Sequence, residues 1–560
     1  MRADGAPEGL RQSMSWLHTW AGLVVGWLLY AVFLMGTLSY VQSEITLWMK
    51  PELHRSVADE GTLTRAVRRM EALASGARSW TIGLPGGRET AVRVFWREPD
   101  TPQGRAATQR ALLDAGTGEV LEARETQGAG FFYRFHFQLY GMPWIWGRWI
   151  VSIATMIMLI AIVSGVITHK KIFKDFFTFR RGKGQRSWLD AHNATGVFAL
   201  PFHLMITYSG LLLFMNLLMP WGVDFAYRGD RDTYFAEASG RLTSGAAGTR
   251  QAGAGTAARV EGGRGGGGFH GDRDDGNSHV ATVPLEPLIA RVTALWKADG
   301  IDSVSINGRG TPEATVEFRR RGGGSLVDRG ASDLLIFSAV TGELQPPPQT
   351  PPLTAARATY NVLTSLHLGR VAGPTMRWLL FLSGLAGTLM VATGVVLWVV
   401  KRAPDRRRLG RTPLGHRLVE VLNVAAVAGL PVAIAAYFFL NRLVPAGLAD
   451  RADWEVRGFF IAWLLCFIHP LFRSYRQAWV EQLWAGAMLL ALLPLLNALT
   501  GGSSLFSALV SGPRAVAAFD LVALAAGALL ALGALRTSRH SMGARKEMRR
   551  HSVPSEARPA

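Results

Sequence analysis

Apolar runs long enough to span a hydrocarbon layer of roughly 30 Å recur along the chain near 16–41, 144–168, 189–219, 374–400, 418–442, 457–472, 481–499 and 515–535. They predict about eight transmembrane helices. The run at 457–472 is short, but Arg457 before it and Arg473 and Arg476 after it can snorkel to an interface. Two long polar stretches, 42–143 and 220–373, interrupt the series. Each begins with a helical pattern (63–76; 284–298) followed by alternating runs such as Ala91–Trp96 and Ala314–Phe318, and so reads as a small α+β module. Each module ends in a turn-bearing strand pair, Asp114-Ala-Gly-Thr-Gly-Glu-Val-Leu121 in one and Ser338-Ala-Val-Thr-Gly-Glu-Leu-Gln345 in the other.

The likeness extends into the apolar runs. Setting His18 on His192 without gaps also pairs Gly22 with Gly196 and Gly36 with Gly210, while setting Trp149 on Trp378 pairs Arg148 with Arg377 and Gly165 with Gly394. Helix, module, helix is therefore expected to occur twice. The expected division is 1–41 with the first helix, 42–143 the first module, and 144–219 two helices around a basic loop. The second module follows at 220–373, a fourth helix at 374–402, four accessory helices at 403–535 and a basic tail at 536–560. Between about 240 and 280 the second module is rich in Gly, Ala and Arg, a composition of disordered chain. Gly263, Gly265 and Gly268 match G-x-G-x-x-G there, but without the strand and helix that a nucleotide fold requires.

Charge adds orientation. The net charge of +19 lies almost wholly in the stretches 170–186, 401–417 and 536–560, whose twenty-one Lys/Arg against four acidic residues give a net 17. Basic short loops mark the cytoplasmic side of an inner membrane, with anionic lipid as their partner; a nucleic-acid role is excluded by this distribution. Both termini are then cytoplasmic and both modules periplasmic. The first run lacks a small-residue cleavage site and exceeds a signal peptide in length, so it reads as a retained helix. The one cysteine, Cys466, sits in an apolar run and permits neither a disulfide nor a C-x-x-C-H attachment.

Six of thirteen histidines lie in or beside the first four helices. His18, His169 and His192 belong to the inner level. His136, His203 and His367 belong to the outer one, His203 following His192 by eleven residues, or about 20° and about 16.5 Å along one straight helix face. A histidine at a helix end is ordinarily interfacial, but six in two levels, four at matching positions, point to a cofactor site. Haem iron takes two axial nitrogens from neighbouring helices in an apolar slot. Gly22, Gly26, Gly36, Gly196 and Gly210 would let a flat macrocycle approach, and Asp190 and Asn193 flank His192. Zinc explains two distant levels poorly, and no H-E-x-x-H is present.

These residues resemble the PepSY-associated transmembrane family, in particular its ferric-siderophore reductases. The resemblance rests on Trp16-Leu-His18-Thr-Trp-Ala-Gly22, Phe135-His136-Phe-Gln-Leu, Thr168-His169-Lys-Lys-Ile-Phe-Lys-Asp-Phe-Phe-Thr-Phe-Arg180, Gln185-Arg-Ser-Trp-Leu-Asp-Ala-His192-Asn, Leu200-Pro-Phe-His203-Leu-Met-Ile-Thr-Tyr-Ser-Gly210 and Leu366-His367-Leu-Gly369, over about residues 10–402. It implies an all-α polytopic membrane core with two α+β periplasmic PepSY-like modules, b-type haems, two in number, held by these histidines, and reduction of ferric iron in a siderophore or other chelate. Electrons would come from a quinol or a separate protein. Arg148, Arg370 and Arg377 stand where they could attract an anionic chelate. The rival expectation is a membrane scaffold whose modules bind a peptide, protease or cell-wall partner.

Overall fold

The computed structural model describes residues 9–98, 108–169, 180, 182–231, 233–234, 280–296, 300–328, 333–346, 353–369 and 372–551, with side chains as far as 539. Nearly all of the Gly-rich stretch at 240–280, with Gly263, Gly265 and Gly268, much of the loop at 170–186 and Arg370 lie outside them.

Among the described residues, seven helices are long and apolar enough to cross a membrane. They are α1 (Leu10–Ser39), α5 (Trp144–Thr168), α10 (Pro374–Lys401), α11 (Leu414–Leu443), α12 (Arg451–Ile468), α13 (Tyr475–Leu499) and α14 (Arg514–His551). The run expected near 189–219 is not one straight helix. It forms α6 (Gln185–Phe198) and α7 (Leu200–Leu213), bent by 66°. Pro201 in the first turn of α7 has no N–H to return to the Val197 carbonyl, so the ladder breaks there. Local signals set other ends: the Thr354 side chain accepts from Arg357 N at the start of α9 (Ala355–Leu368), and Gly369 ends it with φ +59°.

The two polar stretches do not form separate sheets. α3 (Thr62–Leu73) precedes β1 (Ser79–Gly83), β2 (Val92–Arg97) and β3 (Gln109–Leu113); α8 (Leu285–Trp296) precedes β4 (Ile301–Asn307), β5 (Thr315–Arg320), β6 (Leu334–Ser338) and β7 (Leu344–Gln345). They join as one antiparallel seven-stranded sheet in the order β3-β2-β1-β4-β5-β6-β7, sealed by Trp80↔Ile306 and Ile82↔Val304. Pairing the β1 and β4 edges satisfies backbone groups that each half alone would leave open. Ile82, Val94, Val304, Ile306, Val316 and Phe318 alternate onto the buried face, where Val67 and Met70 of α3 and Val292 of α8 share their core. The two expected turns form alike, with Asp114 Oδ1 accepting from Gly116 and Thr117 N–H and Ser338 Oγ from Val340 and Thr341 N–H.

Helices α11 to α14 pack against the first half of the chain. Trp27 donates to Asn423 Oδ1 (2.8 Å), Asn423 donates to Val395 O (2.9 Å), and Tyr30 donates to Val427 O (3.1 Å) at a π turn, Val424–Ala428, within α11.

Candidate functional site: two paired imidazoles

Four of the six histidines meet in two pairs. His18 of α1 faces His192 of α6, ring centres 6.1 Å apart; His136 and His367 also stand 6.1 Å apart. The latter two lie on α4 (Gly130–Gln138) and α9, short helices on the sheet side that lead into α5 and α10. From His18 to Val32, beside which His136 docks, α1 advances about 21 Å at 1.5 Å per residue. The pairs therefore occupy opposite membrane levels.

Three of the four rings are pinned the same way. His18 Nδ1 lies 2.8 Å from Ala161 O, His192 Nδ1 2.9 Å from Met390 O and His136 Nδ1 2.7 Å from Val32 O. His367 stands near the Ile206 backbone, but its Nδ1 meets the Ser209 hydroxyl, at 2.9 Å. Four residues beyond each of these backbone positions stands a glycine: Gly165, Gly394, Gly36 and Gly210. A Cβ there would lie 2.9, 3.1, 2.6 and 3.3 Å from the respective ring. The missing side chain is what lets each imidazole approach the facing helix. An Nδ1–H given to a carbonyl fixes the tautomer and leaves the Nε2 lone pair available to a metal.

The spacing fits two imidazoles that share one ion. A metal–nitrogen bond of about 2 Å on each side, with about 1.1 Å from nitrogen to ring centre, separates the centres by about 6 Å. Among the described residues no three His, Cys, Asp or Glu converge on a metal position. Two imidazoles supply only the axial pair, so a macrocycle with its own equatorial nitrogens suits this donor set. Space for it exists at the inner pair: a cavity of about 310 Å³ touches His18, His192, Gly22, Gly196, Lys401 and Arg402. A Cβ on Gly22 would meet nothing within 4 Å. The residues present therefore fit haem.

The other expected site residues fall elsewhere. His203 does not join the outer pair, because the bend after Phe198 carries it off the straight face on which it was expected. It is fully buried beside Phe33 and Gly387 and touches the same cavity as His192. Neither ring nitrogen has a hydrogen bond of normal geometry. His169 also lines the cavity, its Nε2 3.1 Å from Asn193 Nδ2. Asn193 thus orients His169 rather than His192. Asp190 accepts from Arg180 N (3.0 Å) and so closes the preceding loop. Gly26 serves helix packing against Val395, and Gly36 and Gly210 seat imidazoles rather than a macrocycle.

Both described arginines have internal partners. Arg148 lies over Trp144 (4.5 Å) and donates to Gln138 Oε1 (3.2 Å); Arg377 donates to Ala372 O (2.8 Å) and stands 3.9 Å from Glu44. Lys401 and Arg402 at the cavity rim were read from sequence only as topological charge. Their position at the end of α10, the helix whose Gly394 seats His192, is the signal that could have singled them out.

Long apolar helices around a buried core, with an antiparallel sheet on one side, define a multi-pass membrane protein. The chain belongs to the family described as the PepSY-associated TM region, whose family model matches residues 15–401. An uncharacterized protein of Pseudomonas aeruginosa is 27% identical over 336 residues, covering 57% of this chain and 73% of that relative.

Proposed function

We propose that this protein is a haem-containing reductase of the bacterial inner membrane that moves electrons across the bilayer and reduces ferric iron held in a siderophore or other chelate on the outer side. The observation that carries the reading is the pair of 6.1 Å imidazole contacts, one at each membrane level. In this reading His18 and His192 hold one b-type haem and His136 and His367 a second. Bound haem supplies a one-electron ferric/ferrous couple. The chain's part is to hold each imidazole as a neutral, Nδ1-protonated ring, to keep water from the apolar slots, and to offer Lys401 and Arg402 to the acidic edge of the inner macrocycle. His169 and His203 line the inner cavity without belonging to either pair.

The basic loops orient the protein with both termini in the cytoplasm, which puts His136, His367 and the sheet outside. The two halves of the sheet are then PepSY-like modules of an internally repeated unit. A hydrophilic ferric chelate cannot enter the apolar core and must approach on the sheet side. One-electron reduction there yields Fe(II), which the oxygen donors of a ferric chelator hold less well, so the metal is released. Electrons enter from a quinol or a separate protein.

The reading is tested by single alanine substitutions in the purified full-length protein. His18→Ala and His192→Ala should remove one haem signal, His136→Ala and His367→Ala the other, and His203→Leu neither. Dithionite-reduced protein should be reoxidised by a ferric chelate. Reduced protein indifferent to every ferric chelate would refute the reductase.

A further inference from the structure

The accessory helices grip one histidine-bearing helix and not its counterpart. Setting His136 on His367 pairs Phe131, Phe132 and Phe135 of α4 with Val362, Leu363 and Leu366 of α9. The three phenylalanines are buried, whereas the three aliphatic residues are only half-buried and the buried residues of α9 are Asn361, Thr364 and Ser365. The aromatic surplus on α4 is matched by aromatics from α11 and α12. Phe131 meets Tyr437 (5.2 Å) and Phe459 (5.0 Å), Phe132 meets Tyr437 (5.3 Å), and Phe135 meets Trp463 (6.2 Å).

Polar bonds secure the same contact. Tyr437 donates to Gly128 O (2.9 Å), two residues before α4 begins. Thr126 donates to Glu455 Oε2 (2.5 Å), and Glu455 also takes bonds from Asn441 (2.8 Å) and Arg451 (2.6 Å). Arg451 in turn donates to Glu125 O (2.6 Å). Arg451 and Glu455 are both fully buried. A buried ion pair is costly unless its remaining donors and acceptors find partners, and here the chain leading into α4 supplies two of them, the Thr126 hydroxyl and the Glu125 carbonyl, while Arg451 Nε has none.

We infer that the bundle after residue 411 is a positioning device: it holds α4, and thereby the His136 ring against the Val32 carbonyl, with no equivalent for His367 among the described residues. The inference rests on the haem reading only for what the ring serves, since the clamp itself is independent of any cofactor. Tyr437 and Phe459 are accordingly positioning residues for His136.

The test uses the full-length protein in detergent with two substitutions, Tyr437→Phe and Phe459→Leu. Hydrogen–deuterium exchange reads the clamp without reference to haem: amides of 130–138 should exchange roughly fivefold or more faster in each variant, those of 355–368 unchanged. In the haem-loaded protein, the low-spin resonance and midpoint potential of the signal lost in His136→Ala should shift, while the signal lost in His18→Ala stays put. Equal acceleration in both helices, or none in either, would overturn the inference. So would equal shifts of both haem signals. Absence of haem from the wild type would defeat the haem reading alone and leave the exchange result to decide this one.

Discussion

His54 ties the sheet side to the accessory helices as a neutral imidazole. Its Nδ1 accepts the Ser503 N–H (3.0 Å) and its Nε2 meets Leu47 O (3.0 Å), a donor-plus-acceptor pattern that the cation cannot make. Burial, ahead of the nearby Arg442 charge, lowers its pKa from 6.5 to about 4, against the opposing bond to Leu47. A pKa lower in the folded than in the unfolded chain gives stability that is complete above about pH 6.5 and lost as pH falls towards about 4. The amount is on the order of 3 kcal/mol. Thermal melts between pH 7.5 and 4 should show the wild type losing stability over this window and a His54→Gln variant losing much less of it. Parallel curves would dispose of the assignment.

At the scale of elements, the ring-on-glycine contact is the recurrent device, and its tightness is graded. A methyl group on Gly36 would lie 2.6 Å from His136, against 3.3 Å between a methyl group on Gly210 and His367. Gly36→Ala should therefore perturb the outer pair more than Gly210→Ala, read as haem retained per chain; the reverse order would contradict the packing. The Arg451–Glu455 pair gives a second expectation. Removing one partner leaves a buried charge at a cost of roughly 3–5 kcal/mol, so Arg451→Leu should lower the melting temperature more than Arg451→Leu with Glu455→Leu. A double variant at least as unstable as the single would argue against a buried pair. These devices were partly legible in sequence. The alignment picked out all four glycines, but which ring sits on which helix depends on contacts between helices, such as His18 with Ala161, that no local pattern carries. The bend in the third span hid for a related reason: its apolar character continues through Pro201, so hydropathy reads one run where the backbone makes two helices.

For the whole molecule, the spans were plain because hydrocarbon thickness imposes length and apolarity directly on the sequence. The join between β1 and β4 was not, because each strand shows its own alternation but not its partner more than two hundred residues away. The accessory helices were visible as helices, while their purpose emerged only from the aromatic contacts to α4. Orientation is open to direct assay. Reporter fusions after residues 180, 410 and 545 should read cytoplasmic, and fusions near 60 and 255 periplasmic; a periplasmic signal at 410 would separate the directions of α5 and α10 and break the repeated unit. The central claim is that the two histidine pairs hold haem, and a reduced-minus-oxidised spectrum of the purified full-length protein, with haem quantified per chain, tests it most directly. The account predicts two b-type haems per chain, resolved as two components by the His18→Ala and His136→Ala variants; a protein that is folded by exchange and melting yet binds no haem would contradict it.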